Sequence, residues 1–266
     1  MTLSARARLL LRLATFGGLA VIYVPLLVVL VNSFNPSKTF GWPPSGFTTQ
    51  WWSRAASNPG ARAALLTSVE IALAATALAL VLGSMAAFAV ARYRWFGRET
   101  VSFLVVLPIA LPGIVTGIAL NSAFSAGGVA LGFLTVVVGH ATFCIVVVYN
   151  NVLARLRRTG TTLEEASADL GASTLQTFLH VTFPQLRGAL LAGGLLAFAL
   201  SFDEIVVTQF TISAGLQTLP IWIFANLFRP NQAPVVNVVA AALVVASVIP
   251  VYLANRLSEG NGGGRL

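Results

Sequence analysis

Long apolar runs, separated by short clusters of polar and helix-breaking residues, organise this chain. They cover residues 12–33, 63–91, 101–122, 129–153, 188–210 and 235–255. Each exceeds the roughly 18 residues that carry a helix, at about 1.5 Å per residue, across a bilayer core of about 30 Å. The pattern predicts an all-α integral membrane protein with six transmembrane helices in a single domain, residues 1–257. Residues 258–266, rich in glycine from Gly260 onward, are expected to be a disordered tail. The first run follows Arg6, Arg8 and Arg12 as a secretion signal would. It continues to Val31 with no small-x-small cleavage site, so it is read as a retained helix.

Breakers mark three irregular places. Pro108, Pro112 and Gly113 interrupt the third run, as a packing kink or as a break that lines a pathway. Residues 32–62 hold Trp42, Trp51, Trp52 and four prolines, a composition suited to lying against the headgroup interface. Residues 219–224 are too few to span, and read as a re-entrant or interfacial helix beginning at Pro220.

Composition supports the membrane reading. Only 9% of residues are charged and 57% are hydrophobic, whereas a soluble domain carries about a quarter of its residues charged. The net charge of +8 comes from residues placed by side. Lys38, Arg54, Arg62 and Arg229 fall on one face of the membrane, and the other twelve of the sixteen basic residues on the opposite face. This bias puts both termini in the cytoplasm and leaves no basic patch for nucleic acid. The single Cys144 excludes an internal disulfide and a cysteine-built metal site.

Between the fourth and fifth runs lie about 34 residues, 154–187, more than two adjacent antiparallel helices need. Thr162 to Glu165 has capping-box spacing, with Glu165 reaching back. Gly171 is placed to end that helix, and Ser173 to Gln176 is a second capping box. Pro184 marks a discontinuity before the fifth run. Leu163, Ala166 and Leu170 share one face of the first short helix, a stripe that calls for a protein partner or the lipid surface.

Here Glu165-Ala166-Ser167, three residues, Gly171, nine residues and Val181-Thr182-Phe183-Pro184 resemble the EAA motif of permease subunits in binding-protein-dependent ABC importers. Ser167, Val181 and Phe183 replace alanine, isoleucine and leucine of that motif. The resemblance implies a cytoplasmic coupling helix between the fourth and fifth spans. Its residues Glu165, Ala166, Ser167, Asp169, Leu170, Gly171 and Pro184 would engage an ATPase. It also implies two ATPase subunits, a second and paralogous permease, and an extracytoplasmic solute-binding protein, all at the bacterial cytoplasmic (inner) membrane. Stretches 201–207, 218–223 and 234–237 are similar to spermidine/putrescine permeases, which implies a polyamine as solute. Importers of other organic cations, phosphonates or metals share parts of these stretches.

Three acids lie inside the runs: Glu70, Asp203 and Glu204. A charge there costs about 2.5–3.5 kcal/mol on insertion scales. No basic residue in any run pairs with them, so they are protonated and hydrogen-bonded between helices, or they face a cavity that admits a cation. On a continuous helix Glu204 would join Gly194, Ala197, Ser201 and Thr208 in a small, polar stripe, with Asp203 pointing about 100° away. Trp222 and Phe224 could line an entry and add cation-π attraction.

Lys38 has no glycine-rich approach, so this chain has no nucleotide loop and no cofactor of its own. ATP and Mg are expected on a partner ATPase. His140 and His180 lack metal-ligand spacing and read as packing residues. Three classes follow: an ABC importer permease, a gradient-driven secondary carrier using the membrane acids, or an intramembrane enzyme. The carrier reading gives no reason for the 154–187 loop, and the enzyme reading lacks a nucleophile or metal constellation.

Overall fold

A computed structural model describes residues 4–39, 41–93, 95–229 and 231–259. The helices are α1 (Ala5–Asn32), α2 (Gln50–Ala56), α3 (Pro59–Arg92), α4 (Arg98–Ala110), α5 (Gly113–Ala126) and α6 (Phe133–Thr159). They continue as α7 (Thr162–Asp169), α8 (Thr174–Thr177), a π-helical turn (Phe178–Thr182), α9 (Phe183–Phe202), α10 (Val206–Thr211), α11 (Leu219–Leu227) and α12 (Ala233–Glu259). Among the described residues there is no strand. Four helices are long and apolar enough to cross a membrane: α1, α3, α6 and the continuous helix Thr174–Phe202. The pair α4 and α5 makes a fifth if counted as one span. The sixth run lies on α12, which also takes in residues 258 and 259 of the expected tail. The rest of that tail, 260–266, lies outside the described residues.

The single helix expected over 101–122 is two helices whose axes turn by 108°. Pro108 and Pro112 each lack an amide donor, and Leu111, just before a proline, is pushed to an extended ψ of 141°. Chain direction therefore breaks here, well beyond a kink.

Contacts divide the chain into two compact units, residues 1–62 with 222–253, and residues 63–221 with 254–266. In the first, Asn237 Nδ2 of α12 donates to the Val29 carbonyl of α1 at 3.1 Å. Trp51, expected at the headgroup interface, is only 3% exposed. Its indole N–H donates to the Asn35 carbonyl at 3.0 Å, while Phe34 and Trp52 stack at 5.4 Å. A buried indole needs such an acceptor, and Trp42 remains exposed for the interface.

In the second unit α6 supplies the centre. Val136, Cys144, Val148, Tyr149, Val152 and Leu156 are buried along it. The Tyr149 hydroxyl, deep in this core, finds the Ser102 hydroxyl of α4 at 2.6 Å. Gly83 lets α3 press against α6, for a Cβ there would stand 2.9 Å from the Ile145 carbonyl oxygen. At Gly194 a Cβ would meet only the flexible Leu80 side chain at 3.5 Å. Overpacking costs about 1–3 kcal/mol, more than the roughly 1 kcal/mol that alanine gains in helix propensity. Gly83→Ala should therefore lower the thermal midpoint in detergent while Gly194→Ala holds or raises it. Equal midpoints would remove the close α3–α6 approach from the account.

Candidate functional site

Residues 160–182 close the gap between α6 and α9. Gly171 ends α7 at φ +82°, with its own amide on the Ala168 carbonyl at 2.8 Å and the Ala172 amide on that of Ser167 at 3.1 Å. This is a Schellman closure, which needs a left-handed residue. The second capping box forms in both directions. The Gln176 amide donates to Ser173 Oγ at 3.4 Å, and the Ser173 amide to Gln176 Oε1 at 2.8 Å.

The first capping box does not form. The cap is Thr161, without a side-chain bond, and Thr162 already lies in the helix, so Glu165 does not reach back. The neighbouring carboxylate decides this. Glu164 takes Arg92 in a two-point contact, Nε to Oε2 at 3.0 Å and Nη2 to Oε1 at 3.0 Å. The Nη2–Oε1 contact is a charge-assisted hydrogen bond, while Nε meets Oε2 as an ionic contact without hydrogen-bond alignment. Arg92 also donates to the carbonyls of Gly160 at 2.7 Å and Leu156 at 3.4 Å. Thr182 in the π turn donates to Glu164 Oε1 at 3.0 Å. The end of α3, the end of α6, α7 and the root of α9 thus meet on one ion pair.

Pro184 produces no chain break, contrary to the discontinuity expected there. It sits in the first turn of α9, and the preceding turn widens so that the Phe183 amide bonds the Phe178 carbonyl. Ser167 is half-buried, its Oγ 3.1 Å from Thr177 Oγ1. Glu165, Ala166 and Asp169 are exposed. Leu163, Leu170, Leu175 and Leu179 are exposed too, with Leu170 at 89%.

The second cluster surrounds a break in the fifth run. The expected continuous helix ends at Phe202 with Asp203 as its C-cap, and α10 begins at Val206. The stripe that joined Glu204 to Ser201 and Thr208 therefore does not exist as a helical face. Glu204 instead accepts the Val207 amide on Oε1 at 2.8 Å, serving an orphan donor at the start of α10.

The orphan carbonyls at the far end of α10 are served from α5 and α6. Asn121 Nδ2 donates to the Phe210 carbonyl at 2.6 Å, and Thr135 Oγ1 to that of Thr211 at 2.7 Å. His140, fully buried, spans the gap with Nδ1 2.7 Å from Ser201 Oγ and Nε2 2.8 Å from Thr208 Oγ1. The Thr208 hydroxyl proton is given to the Glu204 carbonyl at 2.8 Å. The network therefore assigns the histidine proton to Nε2, with Ser201 donating to Nδ1.

Of the other expected pathway residues, Glu70 is exposed on α3 and Asp203 is exposed at the end of α9. Among the described residues neither side chain makes a hydrogen bond or ion pair. Trp222 belongs to the first unit and is buried there, its carbonyl accepting from Asn226 Nδ2 at 2.7 Å. Sequence reasoning missed the pairing of Arg92, counted there only by membrane side, with Glu164. It also missed Asn121 and Thr135. A polar side chain inside an apolar run was the available signal for those two, since it needs a partner.

A family model described as binding-protein-dependent transport system inner membrane component matches residues 79–260. The chain is similar to the spermidine/putrescine transport system permease protein PotC of Escherichia coli K12, with 34% identity over 92% of this chain and 93% of that protein. PotC of Haemophilus influenzae is 32% identical over 91% and 93%. The putrescine transport system permease protein PotI of Escherichia coli K12 is 33% identical over 89% and 86%. A chain from the crystal structure of a bacterial ABC transporter involved in the import of the acidic polysaccharide alginate has a TM-score of 0.70 and 17% identity. That match covers 98% of this chain and 99% of that one, and shows a shared fold.

The ion pair has a direct consequence for the loop. Arg92→Glu or Glu164→Arg should raise amide exchange across residues 160–171 about tenfold or more, because a charge-assisted bond is worth roughly 1.5–3 kcal/mol. The double exchange R92E/E164R should restore most of the protection. Exchange unchanged in both single variants would show that the loop is held by something else.

Proposed function

Because this chain belongs to the binding-protein-dependent transport system inner membrane components, as a permease subunit of an ABC importer, we propose that its solute is a polyamine. The observation that carries the substrate is the identity of 32–34% with PotC and PotI proteins over about nine-tenths of the chain. The chain is a transport component rather than an enzyme. In this reading six spans place both termini in the cytoplasm, and ATP with Mg is held by two ATPase subunits. A second, paralogous permease completes the pathway, and an extracytoplasmic binding protein delivers the solute.

The loop 160–182 serves as the coupling element. Its exposed leucines offer an apolar face for an ATPase cleft, and the Arg92–Glu164 pair gives that face a stiff tie to α3, α6 and α9. A push on α7 is then delivered to three membrane helices together instead of being absorbed by a slack connection. The pathway lies along the broken α9–α10 segment, whose irregular backbone is the kind that membrane proteins reserve for cavities. Asp203 and the free oxygen of Glu204 would meet the cationic solute there, with Glu70 further along. A polyamine, carrying several positive charges on an apolar stem, matches carboxylates set among apolar walls.

Uptake by the assembled transporter in proteoliposomes tests this reading. Spermidine or putrescine with the binding protein should stimulate ATP hydrolysis, and Asp203→Asn with Glu204→Gln should slow uptake about tenfold while the ATPase still co-purifies. Stimulation confined to an anionic or neutral solute would overturn the polyamine assignment. Orientation is checked by cysteine labelling in intact cells. An impermeant maleimide should reach Lys38→Cys and not Arg158→Cys, and the reverse pattern would invert the topology.

A further inference from the structure

A cleft of about 520 Å³ opens between the last turns of α6 and the first turns of α9, apart from both clusters described above. Asn151, Arg155 and Arg158 line it from α6, at the three- and four-residue spacing of one helical face. Pro184, Arg187 and Gly188 line it from α9. Three guanidinium groups thus converge with no carboxylate in the lining. The orientation rule counts basic residues by side and is indifferent to the helix face they occupy. It accounts for arginines at this end of the helices and leaves their convergence unexplained. Like charges gathered in one cleft raise the free energy unless an anion joins them. Arg92, at the same end of its helix, shows the contrast, since it is matched by Glu164.

Arg155 is also prearranged. Its Nε donates to the Gln185 carbonyl at 2.9 Å, which fixes the guanidinium plane and leaves its terminal nitrogens for a ligand. Below the cleft the surface changes character. The α9 stripe of Pro184 and Gly188 continues deeper into the membrane through Leu191 and Leu195, both exposed. Charge at the headgroup level above an apolar track is the polarity of a phospholipid, and no soluble phosphate matches the lower part.

We propose that this cleft holds an anionic phospholipid from the leaflet on the side of loop 160–182, with its phosphate on Arg155, Arg158 and Arg187 and an acyl chain along Leu191 and Leu195. Basic pockets between transmembrane helices are suited to such headgroups. Arginine binds phosphate through two parallel N–H groups, which lysine cannot reproduce. Chain connectivity alone puts the cleft beside the loop, so the site does not depend on which solute is carried.

The purified, assembled transporter, exchanged into phosphatidylglycerol or phosphatidylcholine, would be examined by native mass spectrometry. We expect phosphatidylglycerol to be retained and phosphatidylcholine lost. The variant R155K/R158K/R187K keeps every charge needed for insertion and should retain about tenfold less phosphatidylglycerol. R157K, on the same helix but outside the lining, should retain it fully. Excess glycerol 3-phosphate should not displace the lipid. Equal retention in the triple variant, equal retention of phosphatidylcholine, or displacement by glycerol 3-phosphate would each overturn the proposal. Should the triple variant fail to assemble, a photoreactive phosphatidylglycerol on the unmodified transporter decides the matter. Crosslinks within 151–158 and 184–195 support the site, and crosslinks confined to other segments refute it.

Discussion

Inside a bilayer an amide or carbonyl without a partner costs several kcal/mol, because no water can take the missing bond. The second unit is arranged around one place where that cost would arise, the interruption between α9 and α10. His140 and Glu204 supply hydrogen bonds at the interruption, and Asn121 and Thr135 take the carbonyls that end α10. They come from α5, α6 and the broken segment itself, so holding the break open requires those helices to pack together. His140 is fully buried without a charge partner because both ring nitrogens are occupied by hydroxyls on either side of the gap. Its place is structural, yet it fixes the segment that carries Asp203 and Glu204.

The same constraint reshapes the role of the membrane acids. Glu204 gives one carboxylate oxygen to the backbone and keeps the other, while Asp203 is exposed at the end of α9. Glu204 is thus held by a main-chain amide, whereas the Asp203 side chain makes no such bond among the described residues.

At the far end of the same helices the tie is ionic. Arg92 reaches two carbonyls and one carboxylate from the last turn of α3, and Glu164 Oε1 accepts from Thr182 as well as from Arg92. The loop therefore combines a firmly held inner side with an outer side of exposed leucines.

The linear order of residues determined a good deal by itself. Hydrophobic run length located α1, α3, α6 and α12, because a bilayer rewards continuous apolar surface whatever its neighbours are. Local chemistry located the left-handed turn at Gly171 and the capping box at Ser173 and Gln176, where every partner lies within three to five residues. Tertiary structure decided the rest. Thr162 lost its cap role to an ion pair whose members are 72 residues apart, and Trp51 left the interface for an acceptor 16 residues away. The fifth run broke where periodicity drew an unbroken stripe, since run length and apolarity cannot reveal that His140 bridges Ser201 and Thr208 across the gap or that Asn121 and Thr135 take the carbonyls ending α10. Those three lie 61 to 89 residues from their partners, and only folding brings such groups within hydrogen-bond distance.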